Sequence, residues 1–257
     1  MISEHLSEGS SYLHDFDPRF KIIVALIYSV TVALLTSFPL LLLSLFYSFI
    51  LVFWARLPSR TVFKRLLVVN GFVIFLWFIL PFSYDGKELI SLGPLVATDV
   101  GVYQVLRITI KSNAIIMCLM ALLSTSPTFM LVHALHHLKV PSKLVHLFFF
   151  TYRYIHVIYT EFVRLNTAMK IRCFTPRTDL HTYRTYAYLV GMLLVRSYER
   201  SKRIYQSMLC RGFNGKFHTL YHFESRPKEL LSAAAMTTFV LLIAIGQWLP
   251  LGKLITF

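Results

Sequence analysis

The stretch "FKIIVALIYSVTVALLTSFPLLLLSLFYSFILVFWARL", residues 20–57, carries no charge between Lys21 and Arg56. As one helix it would exceed ~50 Å, well beyond a hydrocarbon core of ~30 Å. Thr36-Ser37-Phe38-Pro39 is the natural break. Proline disfavours helical geometry in the residue before it and has no amide hydrogen to donate. The stretch therefore predicts two short membrane spans, about 20–37 and 39–55, joined by a tight hairpin.

Composition supports that reading. Of 257 residues, 56% are hydrophobic and only 15% charged, whereas soluble domains average about 25% charged. A secretory signal peptide is not expected, because the first 19 residues are polar and include Glu4, Glu8, Asp15 and Asp17. The net charge is +14. In a membrane chain such charge marks cytoplasmic loops, and its dispersal along helices argues against a nucleic-acid partner. Cys118, Cys173 and Cys210 form no disulfide framework; they read as small space-filling residues facing a reducing cytoplasm.

Beyond a basic loop with Arg56, Arg60, Lys64 and Arg65, a third span runs from Leu66 to about Phe82, near Pro81. A turn-rich loop follows, with Asp85, Gly86, Lys87, Glu88, Gly93, Pro94 and Asp99, and then a fourth span, about 103–123. Arg107 and Lys111 share one face of it and should meet protein or reach the interface, since lipid exposure is costly. "STSP" predicts a helix start, with Ser126 as N-cap and Pro127 in the first turn. Amphipathic helices are expected over 127–138, 142–174 and 183–211. On the last of these, Leu194, Tyr198, Ser201, Tyr205 and Met208 make one stripe, Glu199 and Arg203 an i,i+4 pair, and Ala187 with Gly191 a small-xxx-small step. A fifth span, 229–251, ends near Trp248, an expected interfacial anchor.

The fold class is thus all-α: a polytopic membrane protein of about five transmembrane helices plus cytoplasmic helices. Its expected parts are a membrane part with four spans (1–125), a cytoplasmic helical module (126–228) and the last span (229–257). Sixteen of the 26 Lys and Arg lie in 127–228 and four in 56–65, while 83–102 holds one Lys and three acids. This asymmetry predicts a cytoplasmic N-terminus and an outside C-terminus in the cell membrane.

Two segments of the basic module repeat a pattern: "AMKIRCF" (168–174) and "SMLCRGF" (207–213). Each has a small residue, Met, two variable residues, Arg, another small residue and Phe. A single such arginine would be an ordinary C-terminal cap favoured by the helix dipole. Two copies, each ending a long amphipathic helix, predict docking to carboxylates of another protein, with Met and Phe giving apolar contact around the guanidinium. His133 and His137 are spaced i,i+4 on "HALHHL", but no Glu, Cys or further carboxylate completes a metal site, so an interfacial or packing role is expected. No phosphate-binding loop and no G-x-S-x-G occur. The spans lack carboxylates except Glu229 at a margin, which disfavours a channel or secondary transporter acting alone.

These residues resemble the transmembrane (T) subunit of energy-coupling-factor (ECF) transporters, most closely the cobalt-type CbiQ subunit. "LHDFDPRFK" (13–21) is similar to that family's leading segment. "TSPTFMLVHALHHLKVPSKLVHLFFFTYRY" (125–154) resembles its short coupling helix, Val-Pro break and long helix. The two arginine motifs resemble its signatures, the second introduced by "LLVRSYERSKRIYQ". The first departs from the pattern, with Cys173 where glycine is usual. The resemblance implies a non-catalytic subunit of an ABC-type importer. Its partners would be two cytoplasmic ATPase subunits, which bind ATP and Mg, and a membrane subunit that captures cobalt. No cofactor or metal is expected in this chain. Arg172 and Arg211 would be the docking charges; Ala168, Ser207 and Gly212 would allow close approach beside Met169 and Met208. Nickel, or a vitamin, is the alternative cargo. A different class, a polytopic enzyme acting on a lipid-linked substrate through the histidines, is the rival reading.

Overall fold

The structure is a computed structural model and describes residues 9, 11–84, 88–92, 95–215 and 227–247. The helices are α1 (Tyr12–Asp15), α2 (Pro18–Leu34), α3 (Phe38–Trp54), α4 (Ser59–Ser83), α5 (Asp99–Leu123), α6 (Thr128–His137), α7 (Ser142–Ile171), α8 (Leu180–Cys210) and α9 (Pro227–Gly246). Strands β1 (Glu88–Leu92) and β2 (Leu95–Thr98) pair antiparallel between α4 and α5. The chain forms two compact units, one holding α1–α6 and α9, the other α7 and α8. Trp248 and the loop positions 85–87 and 93–94 lie outside the described residues.

The protein is an all-α polytopic membrane protein, as the sequence predicts. α4, α5 and the Glu229–Gly246 part of α9 are long and apolar enough to cross a bilayer. The hairpin helices α2 and α3 have 17 residues each, at the lower limit for a span of ~17–25 residues. The break falls where proline predicts it: α2 stops at Leu34 and α3 begins at Phe38, with Pro39 in its first turn. Carbonyls freed at this turn find side-chain donors. Lys111 Nζ donates to the Ala33 oxygen (2.8 Å), and Gln247 Nε2 to the Leu34 oxygen (3.3 Å). Lys111 thus meets protein, which keeps its charge off lipid.

α5 is the centre of the larger unit and packs on α2, α3 and α4. Its buried stripe, Ala114, Cys118 and Ala121, is small and lets neighbouring helices approach closely. The same core holds Val24, Tyr28 and Val32 of α2, Leu41 and Leu51 of α3, and Met236, Val240 and Ile243 of α9, which packs on α2 and α3. Tyr28 carries its hydroxyl into this core and donates to the Ser44 carbonyl (2.8 Å).

Three local expectations change. The basic residues Arg60, Lys64 and Arg65 are not in a loop; they form the first turns of α4, which starts at Ser59. The stretch before α5 is a β-hairpin rather than a plain loop, because "ELIS" and "LVAT" are rich in β-branched and aliphatic residues around a Gly-Pro turn signal. α5 then begins at Asp99, capped by Thr98, whose hydroxyl also donates to the Tyr84 carbonyl (2.7 Å). Ser126 does not cap α6, which begins after Pro127. Its hydroxyl instead meets Lys21 Nζ at 2.5 Å, beside Thr125 Oγ1 at 3.3 Å. Lys21 is 0% exposed, so these hydroxyls solvate an ammonium that burial would otherwise make costly.

The α4–α5 crossing depends on one glycine. A Cβ on Gly101 would lie 2.8 Å from both the Leu80 oxygen and Pro81 Cα, which are backbone atoms with no freedom to swing aside. Gly101→Ala is expected to destabilise the chain by about 1–3 kcal/mol, the usual range for overpacking. A thermal melt of the detergent-solubilised protein reads this; an unchanged midpoint would contradict the tight crossing.

Candidate functional site: two arginine-bearing helix ends

Both arginine motifs fold into the same cap. At the end of α7, Arg172 is the C-cap, Cys173 has φ +60°, the Cys173 amide donates to the Lys170 oxygen (3.0 Å) and the Phe174 amide to the Met169 oxygen (3.1 Å). At the end of α8, Arg211 is the C-cap and Gly212 has φ +80°. There the Gly212 amide donates to the Leu209 oxygen (2.9 Å) and the Phe213 amide to the Met208 oxygen (3.0 Å). Each is a Schellman motif, with a left-handed residue just past the C-cap and a six-to-one bond closing the last turn.

The register explains the spacing seen in the sequence. Met169 and Met208 occupy the third position before the cap, and Phe174 and Phe213 the second position after it. This is the pair that makes the apolar contact of a Schellman cap. Met and Phe therefore fix the helix end, and both are half-buried, while Ala168, Arg172, Ser207, Arg211 and Gly212 are exposed. The cap thus presents one guanidinium and one small residue on its open side. Cys173 adopts the left-handed conformation without glycine, at a cost of roughly 1–2 kcal/mol. A Cβ on Gly212 would meet nothing within 4 Å, so glycine serves the backbone there rather than a contact within the chain.

α7 and α8 run antiparallel. Phe174 meets His181 and Tyr186 beside the connection. Further along, Glu161 of α7 reaches Arg196 and Arg200 of α8. Still further, Phe150 and Tyr154 share an apolar groove of about 360 Å³ with Ile204, Tyr205, Met208 and Phe213. Arg172 lines the elbow cavity with Asp179 and His181, at the start of α8. Arg211 ends α8, whose 31 residues span about 46 Å. The two guanidiniums therefore stand at opposite ends of one rod.

One carboxylate joins the two helices of the rod. Glu161 takes a charged hydrogen bond from Arg196 and lies 3.6 Å from Arg164 and 4.0 Å from Arg200. The bond from Arg196, more than the surrounding positive charge, holds its carboxyl below the usual carboxylate range. The sequence reading does not single out Glu161; the i,i+3 spacing to Arg164 could have signalled one partner, but nothing local signals the two arginines on α8. The expected Glu199–Arg203 ion pair is not among those of the described residues. At the elbow the Arg177 amide donates to Thr182 Oγ1 (3.1 Å). The predicted stripe on α8 divides: Ser201, Tyr205 and Met208 line the groove, while Leu194 and Tyr198 lie outside its lining. The small step at Gly191 is uncovered, with nothing within 4 Å of a built Cβ.

The histidines sit on α6, in the other unit. His133 and His137 stack edge to face with ring centroids 5.1 Å apart. Burial, then nearby Arg19 and His133, holds His137 below the usual imidazole range. Among the described residues no group of three or more His, Cys, Asp or Glu is placed to hold a metal ion.

The profile of the CbiQ family, described as cobalt transport protein, matches residues 9–221. An uncharacterized protein of Methanocaldococcus jannaschii, MJ1089, is 26% identical over 91% of this chain and 90% of its own. The energy-coupling factor transporter transmembrane protein EcfT of Streptococcus equi is 24% identical over 92% of this chain and 90% of its own. The cobalt transport protein CbiQ of Rhodobacter capsulatus is 24% identical over 63% of this chain and 62% of its own.

Proposed function

The chain belongs to the CbiQ family of cobalt transport proteins, and we propose that it is the energy-coupling membrane subunit of an ECF-type importer for cobalt. In this role it hydrolyses nothing. A pair of cytoplasmic ABC-type ATPases, holding ATP and Mg, docks on its two arginine ends. A separate membrane subunit captures the ion, and motion of the α7–α8 rod reorients that subunit. The N-terminus and the basic helices face the cytoplasm, and the C-terminus lies outside.

One observation carries the proposal: the same cap is built twice, at opposite ends of a rod, and each presents an exposed arginine. Neither Arg172 nor Arg211 makes an ion pair among the described residues. A rigid planar donor set left open in this way suits a carboxylate on another protein. Two such sites far apart suit two copies of one partner. Cobalt is favoured over nickel by the family description and by the similarity to the Rhodobacter protein.

Reconstitution tests the proposal. With an ATPase pair and a capture subunit in vesicles, ATP is expected to drive uptake of radioactive cobalt, and omitting this chain is expected to abolish it. ATP turnover by the purified chain alone, or uptake without it, would overturn the assignment.

A further inference from the structure

The membrane unit contains a second feature that docking does not use. Between α4 and α5 lies a groove of about 680 Å³, lined by apolar side chains, among them Val68, Val69, Ile116, Leu119 and Met120. At its mouth stand Thr61, Lys64, Arg65 and Ser124. Both helices are long and apolar enough to cross a membrane. Arg65 Nη1 donates to Ser124 Oγ at 2.9 Å, which draws the guanidinium across the gap between the helices. The lining contains no carboxylate, and neither Lys64 nor Arg65 has an ion pair among the described residues.

The dimensions decide the occupant. From Thr61 to Val69 the groove descends about 12 Å along α4, close to the ~15 Å depth of one hydrocarbon leaflet. Its polar end carries two cations and two hydroxyl side chains, and its remaining wall is hydrocarbon. A free phosphate would satisfy only the mouth. A zwitterionic lipid would bring a cation of its own against Lys64 and Arg65. We propose that this groove binds one anionic phospholipid, its phosphate between Lys64 and Arg65 and one acyl chain along Val68, Ile116 and Leu119. The inference rests on the chain being a membrane protein and not on its role in transport. Basic pockets between membrane helices recognise anionic headgroups by the same electrostatics.

Native mass spectrometry of the full chain in mild detergent tests this, with equal amounts of phosphatidylglycerol and phosphatidylcholine of matched chains. The wild type is expected to retain the anionic lipid about thirtyfold over the zwitterionic one, the scale set by two basic residues at a membrane surface. Lys64→Gln with Arg65→Gln is expected to reduce the preference to about twofold or less. Arg60→Gln, on the same helix but outside the groove, is expected to keep it. Val68→Trp, which fills the groove without changing charge, is expected to lower retention of both lipids. Millimolar inorganic phosphate is expected to leave retention unchanged. An equal loss in Arg60→Gln would mean general surface charge, displacement by phosphate would mean an anion site without a chain, and no preference in the wild type would mean no site. Each of these overturns the proposal.

Discussion

Arg172→Ala combined with Arg211→Ala is expected to strip the ATPase pair from the purified chain, whereas either change alone leaves an assembled complex that transports poorly. Each guanidinium is exposed in the chain by itself and, once docked, would be withdrawn from water together with its carboxylate. Truncating one partner of such a pair costs about 2–5 kcal/mol, much of it from leaving the other charge buried and unpaired. When one end is released, the other still holds the ATPases at high effective concentration; when both are released, that advantage disappears as well. Arginine to lysine is expected to restore the complex only in part, because an ammonium cannot make the planar two-pronged contact. Arg211 is expected to matter more than Arg172, since glycine follows it and its motif matches the family pattern more closely. The readout is ATPase recovered with the tagged chain, beside cobalt uptake. A double alanine variant with full complex and full uptake would reduce both arginines to ordinary helix caps.

The second large effect concerns transmission rather than docking. Glu161 of α7 faces Arg164 on its own helix and Arg196 and Arg200 on α8. Removing the carboxylate leaves three like charges opposed. Glu161→Gln is therefore expected to keep both ATPases bound while uptake falls by up to about fivefold, the upper scale for an exposed ion pair. Exchanging the charges, with Glu161→Arg and Arg196→Glu together, is expected to recover part of the uptake. Acidification has a calculable sign. The carboxyl titrates below its ordinary range, so the contact is fully present above the unfolded-state value and is lost as pH falls through the lowered one. Uptake between pH 5 and 8 should thus not change through this group. Uptake unaltered in Glu161→Gln would show that the rod does not need this clasp.

How much of the molecule is legible in its sequence depends on the range of the interaction. The break at Thr36–Pro39 is a local steric matter, and α2 and α3 end within a few residues of where proline places them. The two caps are also local. Their Met and Phe positions announce the Schellman register, although they read first as a contact surface around the arginine. α4 begins earlier than hydropathy suggests because Arg60, Lys64 and Arg65 interrupt the apolar pattern without interrupting the helix; long basic side chains tolerate that position by reaching toward water. The roles of Lys21, Glu161 and Gly101 are not legible. Lys21 meets hydroxyls about a hundred positions away, Glu161 meets α8 across the elbow, and Gly101 is required by the Leu80 and Pro81 backbone. No periodicity within one helix encodes such pairings.

The central claim, that both arginine ends are covered by ATPase at once, can be read from the chain's own thiols. Cys173 follows Arg172, Cys210 precedes Arg211, and both are exposed, whereas Cys118 is buried in α5 and serves as an internal control. Maleimide labelling of the chain alone should modify Cys173 and Cys210 and spare Cys118. In the assembled complex both exposed thiols should be protected together, and they should label again when the ATPases are removed. Labelling of Cys173 and Cys210 at the same rate with and without the ATPases would contradict the account.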